Sequence, residues 1–378
     1  MARPNLRDLP EELVSNISLR LWSDDVQALR LTCKALEEKT LHEWATEYFT
    51  EKAFIISTDS LKVLLNIANS AKFRGYLRRM HIITAYFSDS AFTCGKTCPY
   101  GHCCGWQPTV RQREAWNFFI QDQKDLKSSE KDKQMLRETF QKLPVLCDLT
   151  LADSTSAIPL SVDIRSMRKV ARLCGRSFQM PTDGKDDAEY FQMLSHTWTI
   201  LTSAIATSGI NTLTHFATNL GKGNLALCVP SDLRFSDAKT TGLRTAFSNL
   251  QSLRMNITAR APRSAPPQKS MSATGQLRLL KFASLLPPLR SLALDLDSKQ
   301  SDNAIFSGLM QNLDLSKMTL LQLNTVTTDR ATLTAVLKRL DSIQDLYLNF
   351  VDLAKGSWIP ILKQLQGMVG SLEHLHLM

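Results

Sequence analysis

No stretch of this 378-residue chain approaches twenty uninterrupted apolar residues, so the sequence offers no membrane-spanning helix. The polar N-terminus lacks the layout of a secretory signal, so secretion is not indicated either. The signatures of common catalytic sites are missing as well. There is no Gly-x-Ser-x-Gly elbow, no phosphate-binding glycine loop, no dinucleotide-binding glycine fingerprint and no His-Glu-x-x-His helix. No basic stripe with interleaved aromatics points to nucleic acid. Eight cysteines without a secretory signal argue for reduced thiols or metal ligands rather than a disulfide framework. What remains is an ordinary globular composition, 43% hydrophobic and 21% charged, long enough for two or three domains. Such a chain reads as a binding protein, not an enzyme.

Charge is unevenly spread. Residues 1–50 hold six basic and nine acidic side chains, which leaves 39 basic and 27 acidic for the remainder and a net +9 overall. A basic body behind a mildly acidic start suits acidic or phosphorylated partners, and equally a solvated surface.

The first forty residues carry a dense string of apolar positions: Leu9, Pro10, Leu13, Ile17, Leu21, Val26, Leu29, Leu31, Cys33 and Leu36. Pro10 fits the first turn of a helix, where a missing N–H costs little, and Glu11 and Glu12 suit its positive end. Leu13, Ile17 and Leu21 then form one stripe at i, i+4, i+8. Ser23, Asp24 or Asp25 caps a second short helix containing Val26 and Leu29, and a third begins near Lys34. Three helices this short cannot bury so many apolar groups among themselves, so a partner surface is expected.

Over residues 6–48 this pattern closely resembles the F-box, the module that docks substrate receptors onto the adaptor of cullin–RING ubiquitin ligases. The Leu9-Pro10 opening, the isoleucine and leucine at helical spacing and the closing Cys33-Lys34-x-Leu36 carry the resemblance. Many F-boxes have an aromatic residue where Leu36 stands. The resemblance implies that Leu9, Pro10, Leu13, Ile17 and Leu21 bury against the adaptor. Val26, Leu29, Cys33 and Leu36 would complete or support that surface.

A repeat occupies the C-terminal half. The template apolar-x-x-apolar-x-x-apolar-x-apolar fits Phe247 to Met255, Leu286 to Leu294, Leu315 to Leu323, Leu340 to Leu348 and Val369 to Leu377. Its third position recurs at 253, 292, 321, 346 and 375, near the period of leucine-rich repeats. The last two apolar positions alternate, as a strand with one buried face requires. The intervening residues, such as 331–340, carry a helical stripe through Leu333, Val336, Leu337 and Leu340. One strand and one helix cannot close a core alone, so neighbours are expected to stack into a curved solenoid. The consensus asparagine of the best-known repeats is missing, and these units resemble the degenerate repeats of F-box receptors.

Earlier units are irregular. Leu143 to Leu151 match the template, Leu77, Met80 and Ile82 fit its end, and Ile210, Leu213 and Phe216 fit loosely. Long helices are expected over 110–142 and 186–206, on the convex side. Residues 258–276, rich in Pro, Ser, Ala and Arg, read as a surface loop, and 121–133 as exposed or frayed. The expected architecture is therefore α/β: a three-helix F-box at 1–50, an irregular helical and early-repeat region at 51–245, and leucine-rich repeats at 246–378.

Cys94, Cys98, His102, Cys103 and Cys104 crowd into eleven residues among glycine and proline. They can wrap a structural Zn²⁺ as Cys₄ or Cys₃His, stand as free thiols in a structured loop, or include an oxidised pair. Their spacing matches no familiar zinc module, and no other cofactor is expected.

The resemblance implies a non-catalytic substrate receptor, of a kind abundant in fungi, working in the cytoplasm or nucleus. It would hold a target near the ubiquitin-charged enzyme, so rate arises from proximity. A scaffold that binds the adaptor without substrate turnover is the alternative. The last residues, Leu375-His376-Leu377-Met378, fall within a repeat strand that lacks a polar cap. Another chain, the helix around Ile359 to Leu365, or further sequence in a longer chain is expected to cover it.

Overall fold

The structure is a computed structural model that describes residues 5–85, 87, 108–153, 164–175, 187–220, 227–228, 232–258, 273–296, 302–368, 370 and 372–378. Short helices open it: a 3-10 turn at Leu6–Asp8, then α1 (Glu11–Ser18), α2 (Ser23–Arg30), α3 (Lys34–Lys39) and α4 (Leu41–Phe49). Pro10 stands at the N-cap of α1 with Glu11 and Glu12 in its first turn.

Strands and helices then alternate. β1 (Glu51–Ile55), α5 (Thr58–Asn69) and β2 (Arg79–Ile83) lead to α6 (Val110–Ser129), α7 (Lys131–Lys142) and β3 (Asp148–Ala152). β4 (Ile164–Arg165), α8 (Met167–Cys174), α9 (Asp187–Ser208), β5 (His215–Asn219) and β6 (Leu227–Cys228) follow. The C-terminal half holds α10 (Asp237–Ala246), β7 (Ser252–Thr258), α11 (Ala273–Ala283), β8 (Ser291–Leu296) and α12 (Asp302–Asn312). It ends with β9 (Leu320–Asn324), β10 (Thr327–Asp329), α13 (Arg330–Leu337), β11 (Asp345–Asn349), β12 (Asp352–Lys355), α14 (Trp358–Gly367) and β13 (His374–Leu377).

The protein is therefore α/β, built on a parallel sheet. β1, β2, β3, β5, β7, β8, β9, β11 and β13 lie side by side in chain order, with β4 outside β1 and β6 beside β7. β10 and β12 make a separate two-stranded pair. Parallel neighbours need a crossover, and right-handed crossovers that always advance in one direction place their helices on one face. One core accordingly collects Leu253, Met255, Leu292, Leu294, Leu321, Leu323, Leu346 and Leu348 with Leu243, Leu279, Phe306, Leu333 and Ile361 from the helices. It also takes in Phe54, Ile82, Leu149 and Phe216, so 51–245 and 246–378 share it, and β5 pairs directly with β7.

Close approach shapes the helix layer. A Cβ on Gly242 of α10 would fall 2.0 Å from the Ala206 carbonyl oxygen of α9, so only glycine lets these helices touch there. The last repeats also match in backbone. Thr325 and Phe350, each following a paired asparagine at the end of β9 and β11, both adopt φ 53°.

Several expectations need correction. The helix expected over 110–142 breaks at Glu130, a left-handed residue with φ 52°. The first half of α6 does not join the main core: Trp116, Phe119 and Ile120 pack with Ala53, Ile55, Ile83, Ile164 and Val170 in a second cluster on the opposite face of the sheet. Residues 121–133 are mostly helical rather than frayed, with Gln123, Leu126 and Asp132 buried. The expected loop at 258–276 gives way to helix α11 from Ala273 onward; 259–272 lie outside the described residues. Ile361 and Leu365 of α14 are buried in the main core, which leaves Leu375 and Leu377 43% and 45% exposed on β13.

Candidate docking surface

The N-terminal helices hold one another through a small interior and a few polar ties. Val14, Val26 and Leu36 are buried, so Val26 and Leu36 support the module from inside rather than face outward. Lys39 Nζ donates to the carbonyl oxygens of Arg7 (2.7 Å) and Leu9 (2.6 Å), fixing the approach to Pro10 against α3. Ser15 Oγ donates to Glu43, which ties α1 to α4. Arg30 Nη1 donates to the Glu37 carbonyl (2.9 Å) and to Thr40 Oγ1 (3.1 Å), and its guanidinium lies 4.1 Å from the centre of the Trp44 ring. Burial lowers the Arg30 pKa, with the Glu37 carboxylate opposing.

Helix α4 joins this module to the sheet. Trp44 meets Phe49 edge-on at 5.2 Å, and Phe49 stacks on Phe73 at 4.5 Å, while Ala45 and Phe49 belong to the main core. Aromatic contacts of this kind add specific geometry to plain area burial. The orientation of α1 is thereby set by the body of the protein.

What the module leaves open is apolar. Pro10, Leu13 and Leu21 are exposed, Leu13 by 49%, while Leu9, Ile17, Leu29 and Cys33 are half-buried. These line α1, its approach and the neighbouring α2 segment, and none of them belongs to either hydrophobic core cluster. Three more apolar side chains stand in the open: Leu19, Trp22 and Leu31, exposed by 71%, 84% and 87%. Sequence reasoning placed Leu31 in the apolar string but passed over Leu19 and Trp22. Their signal was present: both sit in the turn between α1 and α2, where no helical stripe explains an apolar residue. Exposed apolar side chains in so short a segment make this end of the protein a candidate contact site.

The cysteine cluster at Cys94, Cys98, His102, Cys103 and Cys104 lies outside the described residues. Among the described residues, no group of three or more His, Cys, Asp and Glu side chains is arranged to hold a metal. Cys33, Cys147 and Cys174 are free thiols, and burial pushes the Cys174 thiol up in pKa. No helix among the described residues is long and apolar enough to cross a membrane.

No family model matches the chain, and no curated protein matches it.

Proposed function

We propose that this chain is the substrate-receptor subunit of a cullin–RING ubiquitin ligase. It would bind the adaptor through an F-box at its N-terminus and a target protein through a leucine-rich-repeat horseshoe. The observation that carries this reading is the apolar face of α1, left uncovered on a module whose interior is otherwise closed. Leu13, Ile17 and Leu21, with Leu9 and Pro10 at the entry, would enter a groove on the adaptor. Fully burying a leucine contributes about 1.5–3 kcal/mol, so a handful of such contacts suffices for stable docking.

Nine parallel strands added one after another in chain order support the repeat half of the reading. In this mechanism the chain breaks and forms no bond. The F-box fixes one end on the ligase, the sheet fixes the target at a set distance, and the rate gain comes from positioning.

Affinity purification under proteasome inhibition tests the proposal. Recovery of both adaptor and cullin is expected from the native chain. Recovery of the adaptor without a cullin would favour a non-catalytic scaffold, and recovery of neither would remove the F-box reading.

A further inference from the structure

The sheet face opposite the main core carries a charged side chain in an unusual setting. Arg254 lies in the middle of β7, in register with Ala217 of β5 on one side and Ala293 of β8 on the other. Registered positions project to the same face, so the guanidinium stem rises between two methyl side chains. Among the described residues, the Arg254 side chain makes no ion pair or hydrogen bond, and its Nε is shielded from water without an acceptor. Leaving a donor without an acceptor is costly, and the terminal nitrogens of this half-buried guanidinium, not the shielded Nε, are where a ligand oxygen would bind.

The neighbouring row supplies further polar groups. Ser252 and Ser291 are paired in register one step down the strands, both half-buried, and His215 stands beside Ser252. His215 Nδ1 is engaged with Thr214 Oγ1 at 2.8 Å. Two acidic groups face this area. Asp295 accepts from Asn256 Nδ2 (3.1 Å) and Thr325 Oγ1 (2.7 Å), so it is committed to its own row. Asp148, beside His215, has its pKa raised by burial, with His215 and His81 opposing.

We propose that Arg254, with Ser252, Ser291 and His215 alongside, forms a notch that receives a side-chain oxyanion, a carboxylate or a phosphate monoester, from a bound polypeptide. A guanidinium offers two parallel donors to either group, and the chain beyond residue 50 carries a basic excess that favours acidic partners. Only the identity of that polypeptide as a ligase target rests on the receptor reading.

Fluorescence anisotropy on the full chain tests the notch, using degenerate peptide pools centred on phosphoserine, aspartate or serine. The phosphoserine or aspartate pool should bind at least about tenfold more tightly than the serine pool. Preference for phosphoserine identifies a phosphate monoester as the source, and preference for aspartate a carboxylate. Arg254→Gln should erase the preference while the protein still melts cooperatively, because no side-chain hydrogen bond or ion pair is lost with the guanidinium. Ala217→Glu, which sets a carboxylate beside the guanidinium, should erase it too. Equal binding of all three pools, or a preference that survives Arg254→Gln, overturns the proposal. Adaptor recovery should be the same for Arg254→Gln and the native chain, so a failed notch and a failed receptor reading are told apart.

Discussion

The N-terminal helices and the strand–helix repeats use the same residue types to opposite ends. In the repeats, Leu321, Leu323, Leu346 and Leu348 all disappear into one core, because each strand is flanked by the next and backed by a helix. In α1 and α2 the apolar set is divided: Val14 and Val26 point in, while Leu13, Leu19, Leu21 and Trp22 stay in the open. A parallel sheet that adds strands in chain order meets its burial requirement with its own neighbours. The N-terminal helices lack such flanking neighbours, so more of their apolar surface stays open.

Mutations should separate the two regions sharply. Trp198→Ala removes a fully buried indole that also donates from Nε1 to the Asp232 carbonyl at 2.7 Å. It should cost about 3–5 kcal/mol in urea unfolding. Leu13→Ala, by contrast, should cost no more than about 0.5 kcal/mol, since the side chain is half in water already. Equal losses would mean that the α1 face is part of the core after all.

Gly242→Val comes next. The added side chain meets the Ala206 carbonyl, so α9 and α10 must separate, at a cost of about 1–3 kcal/mol. A thermal melt should show it as a clear downward shift. Smaller again is Lys39→Met, which removes the two hydrogen bonds that hold the Leu9-Pro10 approach. About 1 kcal/mol of stability should go, together with some adaptor affinity; Lys34→Met, at the start of the same helix, should not show both effects.

The smallest effect concerns pH. Burial holds the Lys239 ammonium down to about 8, with Lys133 adding repulsion, while Nζ reaches the Thr199 carbonyl at 3.3 Å. In the unfolded chain the group titrates near about 10.4. Between those values the unfolded state binds more protons, so this residue's contribution to stability rises with pH. Below pH about 8 the lysine is charged in both states and the burial cost is fully felt. Lys239→Met should therefore stabilise the protein at neutral pH by less than about 1 kcal/mol, and the advantage should fade above pH about 10.5.

Much of this was legible in the sequence. The alternating pairs ending at Met255, Leu294, Leu323, Leu348 and Leu377 mark strands because burial on one face forces period two. The stripe through Leu333, Val336 and Leu337 marks the helix between two of them for the same reason at period 3.6. β1 was missed. Lys52 interrupts its apolar run, yet that lysine is buried, with its ammonium 5.9 Å from the centre of the Tyr48 ring. The break at Glu130 was missed because glutamate carries no turn signature, and few side chains other than glycine and asparagine announce a left-handed residue. The second cluster on the opposite face could not be read either: it joins α6 and α8 to strands far away in sequence, which no local period reports. At the candidate surface, the spacing of Leu13, Ile17 and Leu21 was visible, but whether Val26 or Leu29 pointed outward depended on how α2 packs.

The central claim is that the open face of α1 binds a ubiquitin-ligase adaptor, and one substitution reaches it most directly. Leu13→Asp places a charge in the middle of the stripe while leaving the module's interior of Val14, Val26 and Leu36 untouched. Co-purification of the adaptor with tagged native and variant chains is the measurement, with melting temperature as the control. The account predicts that the native chain recovers the adaptor, that Leu13→Asp loses it by at least about a hundredfold, and that the two proteins melt alike. Undiminished recovery of the adaptor by a folded Leu13→Asp chain would contradict it.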